Sequence, residues 1–272
     1  MTRADLARRL ATAAIGIPLL ALALFWGPPM LVVALVGVVS AIGLWEYYAL
    51  LAVRGVAPLR VSGYVLGALF FIQTVRPALV PPAVVPIAAV IVLLAMLTRG
   101  GDVPSSVTSA GATLLGAGWL GGLGGTMATL RLAPVERGGP WVEMLLLTTV
   151  MTADSAALFV GSALGRHKLA PRISPGKTWE GLAGGLAGGI AGALIVRHFG
   201  LQWIPLTHLV VLAVLVTLAG VGGDLAESLL KRWAGVKDSG ALFPGHGGML
   251  DRLDSLLFAG PVLYYYFVFF AR

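Results

Sequence analysis

The sequence predicts an all-α, polytopic integral membrane protein of about nine transmembrane helices, N-terminus cytoplasmic and C-terminus outside. Three observations lead there. First, 58% of the 272 residues are hydrophobic and 11% are charged, and mean hydropathy is +0.91. A soluble domain carries roughly 25% charge, and a chain this short of it would expose more apolar surface than water tolerates. Second, the apolar residues gather in runs close to the ~20 residues that cross a bilayer as a helix. Third, the 19 Lys and Arg residues divide unevenly between the connections. With the N-terminus inside, Arg3, Arg8, Arg9, Arg54, Arg60, Arg99, Arg166, Lys168, Arg172, Lys177, Lys231, Arg232, Lys237 and Arg252 fall inside; only Arg76, Arg131, Arg137, Arg197 and Arg272 fall outside. Cytoplasmic connections carry the positive excess.

The runs follow in order. Residues 10–26 have a basic start and contain Ala21-Leu22-Ala23, but the run is long for a signal-peptide core and more spans follow, so it is read as a retained span. Runs at 30–53, 61–75, 80–98 and 107–130 come next, the third of the nine being short. The run 141–164 contains Asp154, 180–197 is rich in glycine, 204–223 leads into Asp224, and 253–271 holds Tyr264, Tyr265 and Tyr266. Those tyrosines, with Trp26 and Trp203 near other run ends, read as interfacial anchors or core packing. Residues 1–140 form an N-terminal scaffold half and 141–272 a catalytic half of one continuous membrane domain. No internal repeat marks an inverted-repeat transporter. Zero Cys excludes disulfides, zinc–thiolate sites, iron–sulfur clusters and thiol catalysis. The net charge of +7 is dispersed between apolar runs, which fits topology and anionic lipid rather than nucleic acid.

Gly181, Gly185 and Gly189 are spaced by four, and so are Gly184, Gly188 and Gly192. Small residues at that spacing let two helix backbones approach in lipid. The spacing allows a dimer seam, a tight wall beside an active site, or ordinary packing within the chain.

Ionisable groups inside a span are costly and face a cavity or a partner. Asp224 and Glu227 lie three apart on one helix face, and Asp251 and Asp254 repeat that spacing on the next helix. The connection joining them is predicted on the cytoplasmic side, so the pairs can face each other at one membrane boundary. Four converging carboxylates repel unless cations neutralise them. Hard oxygen ligands suit Mg²⁺, which takes one or two carboxylates plus substrate phosphates. The plainer alternative is helix-end salt bridging, with Glu227 and Lys231 at i,i+4 and Arg252 beside Asp251. Glu46 and Glu143 lie near span ends, from which a side chain can reach the interface, and are assigned no role.

Two polar connections, about 165–179 and 231–252, are expected on the same side because two spans separate them. Gly176-Lys177-Thr178 looks like the end of a phosphate-binding P-loop, but that motif needs glycine where Pro171 stands and a preceding strand. What survives is Ser174, Lys177 and Thr178 at the start of a helix with Arg172 nearby, either a phosphate grip or a basic loop with an N-cap. In the second connection, Gly247 and Gly248 permit close backbone approach to a ligand. His246 there is either an acid–base or phosphate-donor group or a plain turn histidine.

The string Ser228-x-x-Lys231-Arg232, four residues, Lys237-Asp238-x-Gly240, then Pro244-x-His246-Gly247-Gly248-x-x-Asp251-Arg252-x-Asp254 resembles the signature of the phosphatidate cytidylyltransferase (CDP-diacylglycerol synthase) family without departure over 27 positions. Ser174-Pro175-Gly176-Lys177-Thr178-Trp179-Glu180-Gly181 resembles a second landmark of that family. The resemblance covers about 150–255; the first half matches only as a hydrophobic scaffold. It implies transfer of a cytidylyl group from CTP to phosphatidic acid with Mg²⁺, giving CDP-diacylglycerol and pyrophosphate for phospholipid synthesis. It further implies an inner-membrane, multi-pass enzyme with its cleft facing the cytoplasm, and a homodimer.

On that reading Asp224 and Asp251 hold Mg²⁺, and Asp254 and Glu227 serve a second cation or support the first. Lys231, Arg232, Lys237 and Arg252 neutralise phosphates. Ser174, Lys177, Thr178, Ser228 and Asp238 bind substrate, and His246 with Gly247 and Gly248 shapes the nucleotide pocket. The nearest rival is a CTP-using lipid kinase of the polyprenol type. A CDP-alcohol phosphotransferase is set aside because its Asp-x-x-Asp-Gly-x-x-Ala-Arg string is absent. A cation or lipid transporter would be expected to show access from both sides, whereas the charge here clusters on one.

Overall fold

The computed structural model describes residues 18–19, 21–97, 102–132, 139–240, 242 and 247–270. His246, most of the run 10–26, and Arg3, Arg8, Arg9, Arg99, Arg137 and Arg272 lie outside the described residues. The helices are α1 (Pro29–Val53), α2 (Arg60–Val75), α3 (Val84–Leu97), α4 (Val103–Gly116), α5 (Gly124–Thr129), α6 (Pro140–Leu164), α7 (Trp179–Gly200), α8 (Leu206–Ala234) and α9 (Leu250–Phe270). A π-helical stretch, Ala117–Leu123, joins α4 to α5, so the run expected at 107–130 is one rod in three parts. The chain is an all-α membrane protein in class, and α1, α6, α7, α8 and α9 are long and apolar enough to cross a membrane. The shorter α2 and α3, of 16 and 14 residues, rise only ~24 and ~21 Å against a hydrocarbon core of ~30 Å.

Local chemistry explains the ends. Pro29 opens α1 and Pro140 opens α6, where a missing N–H costs nothing. Asp102 caps α4: its carboxylate accepts from Ser105 Oγ at 2.6 Å and Ser105 N at 3.1 Å, and these bonds hold its carboxyl below the usual carboxylate range. Gly55 (φ +74) closes α1 and Gly235 (φ +79) closes α8, both left-handed. At each, paired backbone bonds satisfy the last carbonyls: Gly55 N to Ala52 O and Val56 N to Leu51 O, then Gly235 N to Arg232 O and Val236 N to Lys231 O. Arg54 Nε donates to Trp233 O at 2.6 Å, tying these two helix ends together.

The core is built from α1, α6, α8 and α9 around Tyr47, Tyr48, Leu145, Leu212 and Leu257. The two tyrosine hydroxyls donate to the Ala112 and Thr113 carbonyls of α4. Gly121 in the π stretch meets the Gly67 backbone of α2, an approach a side chain would block. The glycine rows of α7 are used within the chain. A methyl group on Gly185 would meet Ala153 and Ala157, on Gly188 Ala156 and Thr152, and on Gly189 Thr217 of α8. The neighbours of both rows therefore lie on α6 and α8 of the same chain, so the rows themselves give no support to a dimer seam.

Two features depart from the expected arrangement. The connection 165–179 is not plain loop: Lys168–Ala170 (β1) and Ser174–Thr178 (β2) pair antiparallel, Lys168 opposite Thr178 and Ala170 opposite Ser174. Ser174 and Lys177 thus sit on a strand, not at a helix start, and Thr178 ends that strand as the N-cap of α7, accepting from Gly181 N at 3.0 Å. Cross-strand bonding and the proline at 175 keep this segment extended. Second, α8 runs on to Ala234 rather than stopping at 223, and α9 starts at Leu250. Asp224, Glu227, Ser228, Lys231, Arg232 and Asp251 are therefore all helical.

Candidate active site

The hairpin and the facing ends of α6, α8 and α9 assemble a polar cluster. Lys177 Nζ lies 2.6 Å from Asp224 Oδ2, joining β2 to α8, with both side chains partly exposed (23% and 32%). Ser228, one turn on, donates to Asp224 Oδ1 at 3.2 Å. Asp224, Lys177, Ser174, Thr178 and Asp154 line a cavity of ≈ 420 Å³ between α6, the hairpin, α7 and α8. Arg232 Nε donates to Ile173 O at 3.2 Å, a second tie from α8 to the hairpin turn.

A second knot forms between α8 and α9. Lys231 Nζ lies 2.6 Å from Asp251 Oδ1 and 2.5 Å from Glu227 Oε2. Glu227 is fully buried, and Lys231 is its ionic partner. Asp251 Oδ2 accepts from Gly248 N at 2.7 Å, Ser239 N at 2.9 Å and Ser239 Oγ at 2.9 Å. Gly247 has φ +81, and a methyl group there would press on the Asp251 carboxylate. Asp254 Oδ1 accepts from Ser255 N at 2.6 Å.

The two knots communicate electrostatically. Asp154 and Asp254 both feel the charge of Asp224 and of each other, and Glu227 feels Asp254 and Asp251. Lys177 and Lys231 are the ammonium groups set against these five acids. Were all five ionised, two ammonium groups would leave three negative charges unmatched, a deficit a divalent cation offsets. Lys237, Asp238, Arg232 and Arg252 are exposed.

Residues 7–270 match the cytidylyltransferase family. The chain belongs to that family. It is 44% identical over 135 residues to phosphatidate cytidylyltransferase of Haemophilus influenzae, covering 48% of this chain and 47% of that protein. The Bacillus subtilis phosphatidate cytidylyltransferase is 46% identical over 122 residues, 45% of each chain. The Pseudomonas aeruginosa protein of the same name is 49% identical over 118 residues, 43% of this chain and 44% of that one. The match thus spans about half the length of these curated relatives.

For this cytidylyltransferase-family chain the acid set can be tested against Mg²⁺. Among the described residues no three His, Asp or Glu side chains are grouped to hold an ion unaided. Mg²⁺ keeps water and substrate oxygens and needs only one or two carboxylates. Glu227 Oε1, which has no partner among the described residues, and Asp224, held by the exchangeable Lys177, fit such an ion. Asp251 is more occupied, its two oxygens already taking Lys231, Ser239 and Gly248.

Two acids behave otherwise than expected from position. Glu143 is buried within the protein, 3.7 Å from Arg131 Nε, and Arg131 also donates to Gly27 O. Glu46 is fully buried as well. Its carboxylate accepts from Ser239 Oγ, Met249 N and Leu250 N at 2.9, 2.9 and 2.8 Å. The sequence signal was Glu46 itself, an acid within an apolar run, but its partners are two hundred positions away and no spacing rule connects them.

Proposed function

We propose that this chain transfers the cytidylyl group of CTP to phosphatidic acid, releasing pyrophosphate and leaving CDP-diacylglycerol for phospholipid synthesis. The observation that carries this reading is the cluster around Lys177–Asp224. It sets acids, two lysines and a cavity on the hairpin side of the bundle, where a lipid phosphate and a soluble nucleotide can meet. The names of the half-length relatives support the same chemistry.

A phosphatidate oxygen attacks the α-phosphorus of CTP; the new P–O bond forms as the bond to the β-phosphate's bridging oxygen breaks, and pyrophosphate departs with that electron pair. Phosphatidate is largely dianionic near pH 7, its second pKa lying near 6, so the attacking oxygen needs no dedicated base. The chain's work is alignment and charge neutralisation. Lys177 and Lys231 sit ready to exchange a carboxylate partner for a phosphate oxygen, and Ser174, Thr178 and Ser228 offer hydroxyls beside them. Arg232, Lys237 and Arg252 add positive charge at the rim, with Asp238, His246, Gly247 and Gly248 shaping the nucleotide side. Asp224 and Asp251, with Asp254 and Glu227 in support, would hold Mg²⁺, and a second cation if one binds. The ion supplies charge stabilisation of the phosphates.

The charge distribution argues for the hairpin side as cytoplasmic and for an odd number of spans, nine by the apolar runs; the inner membrane of a bacterium rests on family resemblance. A homodimer rests on family resemblance alone. The test is purified protein with phosphatidic acid, Mg²⁺ and CTP labelled at the α-phosphate. Label in the lipid with release of pyrophosphate supports the proposal. Lipid labelled only from γ-labelled CTP would replace it with a lipid kinase.

A further inference from the structure

We propose that Glu46 is a positioning residue for the nucleotide site: a carboxylate from the N-terminal half that holds both ends of the α8–α9 connection in their working geometry. The inference rests on the function proposed above. Glu46 lies on α1, in the half otherwise without active-site residues, yet among the described residues each hydrogen bond it accepts comes from that connection. From the near end it takes the Ser239 hydroxyl; from the far end it takes the Met249 and Leu250 amides, which open α9. Those first helical N–H groups have no partner inside their own helix, and the helix N-terminus carries partial positive charge. A carboxylate brought by another helix satisfies both needs.

The fit is close on every side. Methyl groups added to Gly240 or Gly248 would run into the Glu46 carboxylate, so the backbone at both ends is moulded against it. Ser239 Oγ stands 2.9 Å from Glu46 Oε2 and 2.9 Å from Asp251 Oδ2. Its single proton serves one of them at a time, so the hydroxyl couples Glu46 to Asp251, and Asp251 to Lys231. A carboxylate buried in a membrane-embedded helix is costly, and here it accepts three hydrogen bonds from this connection. Gly247 and Gly248, read as the wall of the nucleotide pocket, are thereby fixed from α1.

The experiment uses the full chain in detergent, comparing wild type with Glu46→Gln. Glu46→Gln keeps the shape but leaves one acceptor oxygen for three donors. Two readings are taken: KM for CTP, and hydrogen–deuterium exchange at the Met249 and Leu250 amides. We expect KM for CTP to rise at least tenfold and those two amides to exchange at least tenfold faster, with α7 amides unchanged. A fall in the folded fraction alone lowers apparent kcat but leaves KM where it was. Either reading at its wild-type value overturns the proposal. If Glu46→Gln does not fold, Glu46→Asp, one carbon too short to keep all three bonds, is judged by the same two readings. Inactive wild type would sink the proposed function and the role of Glu46 with it; active wild type beside an unaffected variant sinks the role alone.

Discussion

Lys177 of the hairpin and Asp224 of α8 meet with Nζ and Oδ2 2.6 Å apart, and both line the polar cavity. Each is part-exposed, so the pair contributes little to stability and is easily exchanged for substrate. Asp224→Asn should leave the protein folded while lowering cytidylyl transfer about 100-fold or more, the scale of losing one metal-binding or charge-organising carboxylate. Turnover near wild type in the labelled-CTP assay would remove Asp224 from the site.

Asp251 should behave differently. It and Lys231 are nearly buried, and it also binds the Ser239 and Gly248 amides. Removing one partner of such a pair costs about 3–5 kcal/mol. Asp251→Ala is therefore expected to lower both the thermal midpoint in detergent and the activity, where Asp224→Asn lowers activity alone. An unchanged midpoint would show that Asp251 does not anchor the connection.

The glycine rows make a prediction about packing. Gly188→Leu would drive a branched side chain into Ala156 and the Thr152 carbonyl. Overpacking of this kind costs about 1–3 kcal/mol, more where backbone must move. A lower melting midpoint at constant oligomeric state is the expected result. A change from larger to smaller assembly at an unchanged midpoint would instead locate a subunit seam on α7.

On the proposed Mg²⁺ site at Asp224 and Asp251, activity should vanish on adding EDTA and return with Mg²⁺ in excess. Full turnover in EDTA would show that the lysines suffice.

The absence of cysteine makes topology directly measurable. Arg172 in the hairpin turn and Gln202 before α8 are both exposed and lie at opposite ends of α7. In bacterial cells, a membrane-impermeant maleimide should label Gln202→Cys from outside and Arg172→Cys only after permeabilisation. The reverse pattern would invert the assigned orientation.

What the sequence determined was class, most helix positions and the residue types of the site. Apolar runs of near-bilayer length are a local property, so α1, α2 and α6 fall within one residue of the runs that predict them. The motif residues Ser228, Lys231 and Asp251 were legible because their order along the chain is itself the signal. Tertiary structure decided the rest. Hydropathy ended α8 at its first acid, yet the helix continues to Gly235, because Glu227 and Lys231 are bonded or buried rather than solvated. The hairpin exists through cross-strand bonds, which leave only a short polar stretch in the sequence. Glu46 and Glu143, near span ends, looked free to reach the interface; three donors from the far end of the chain in one case, and Arg131 in the other, hold them inside. A residue's burial depends on what the rest of the chain brings to it, and that information exists only once the helices have packed.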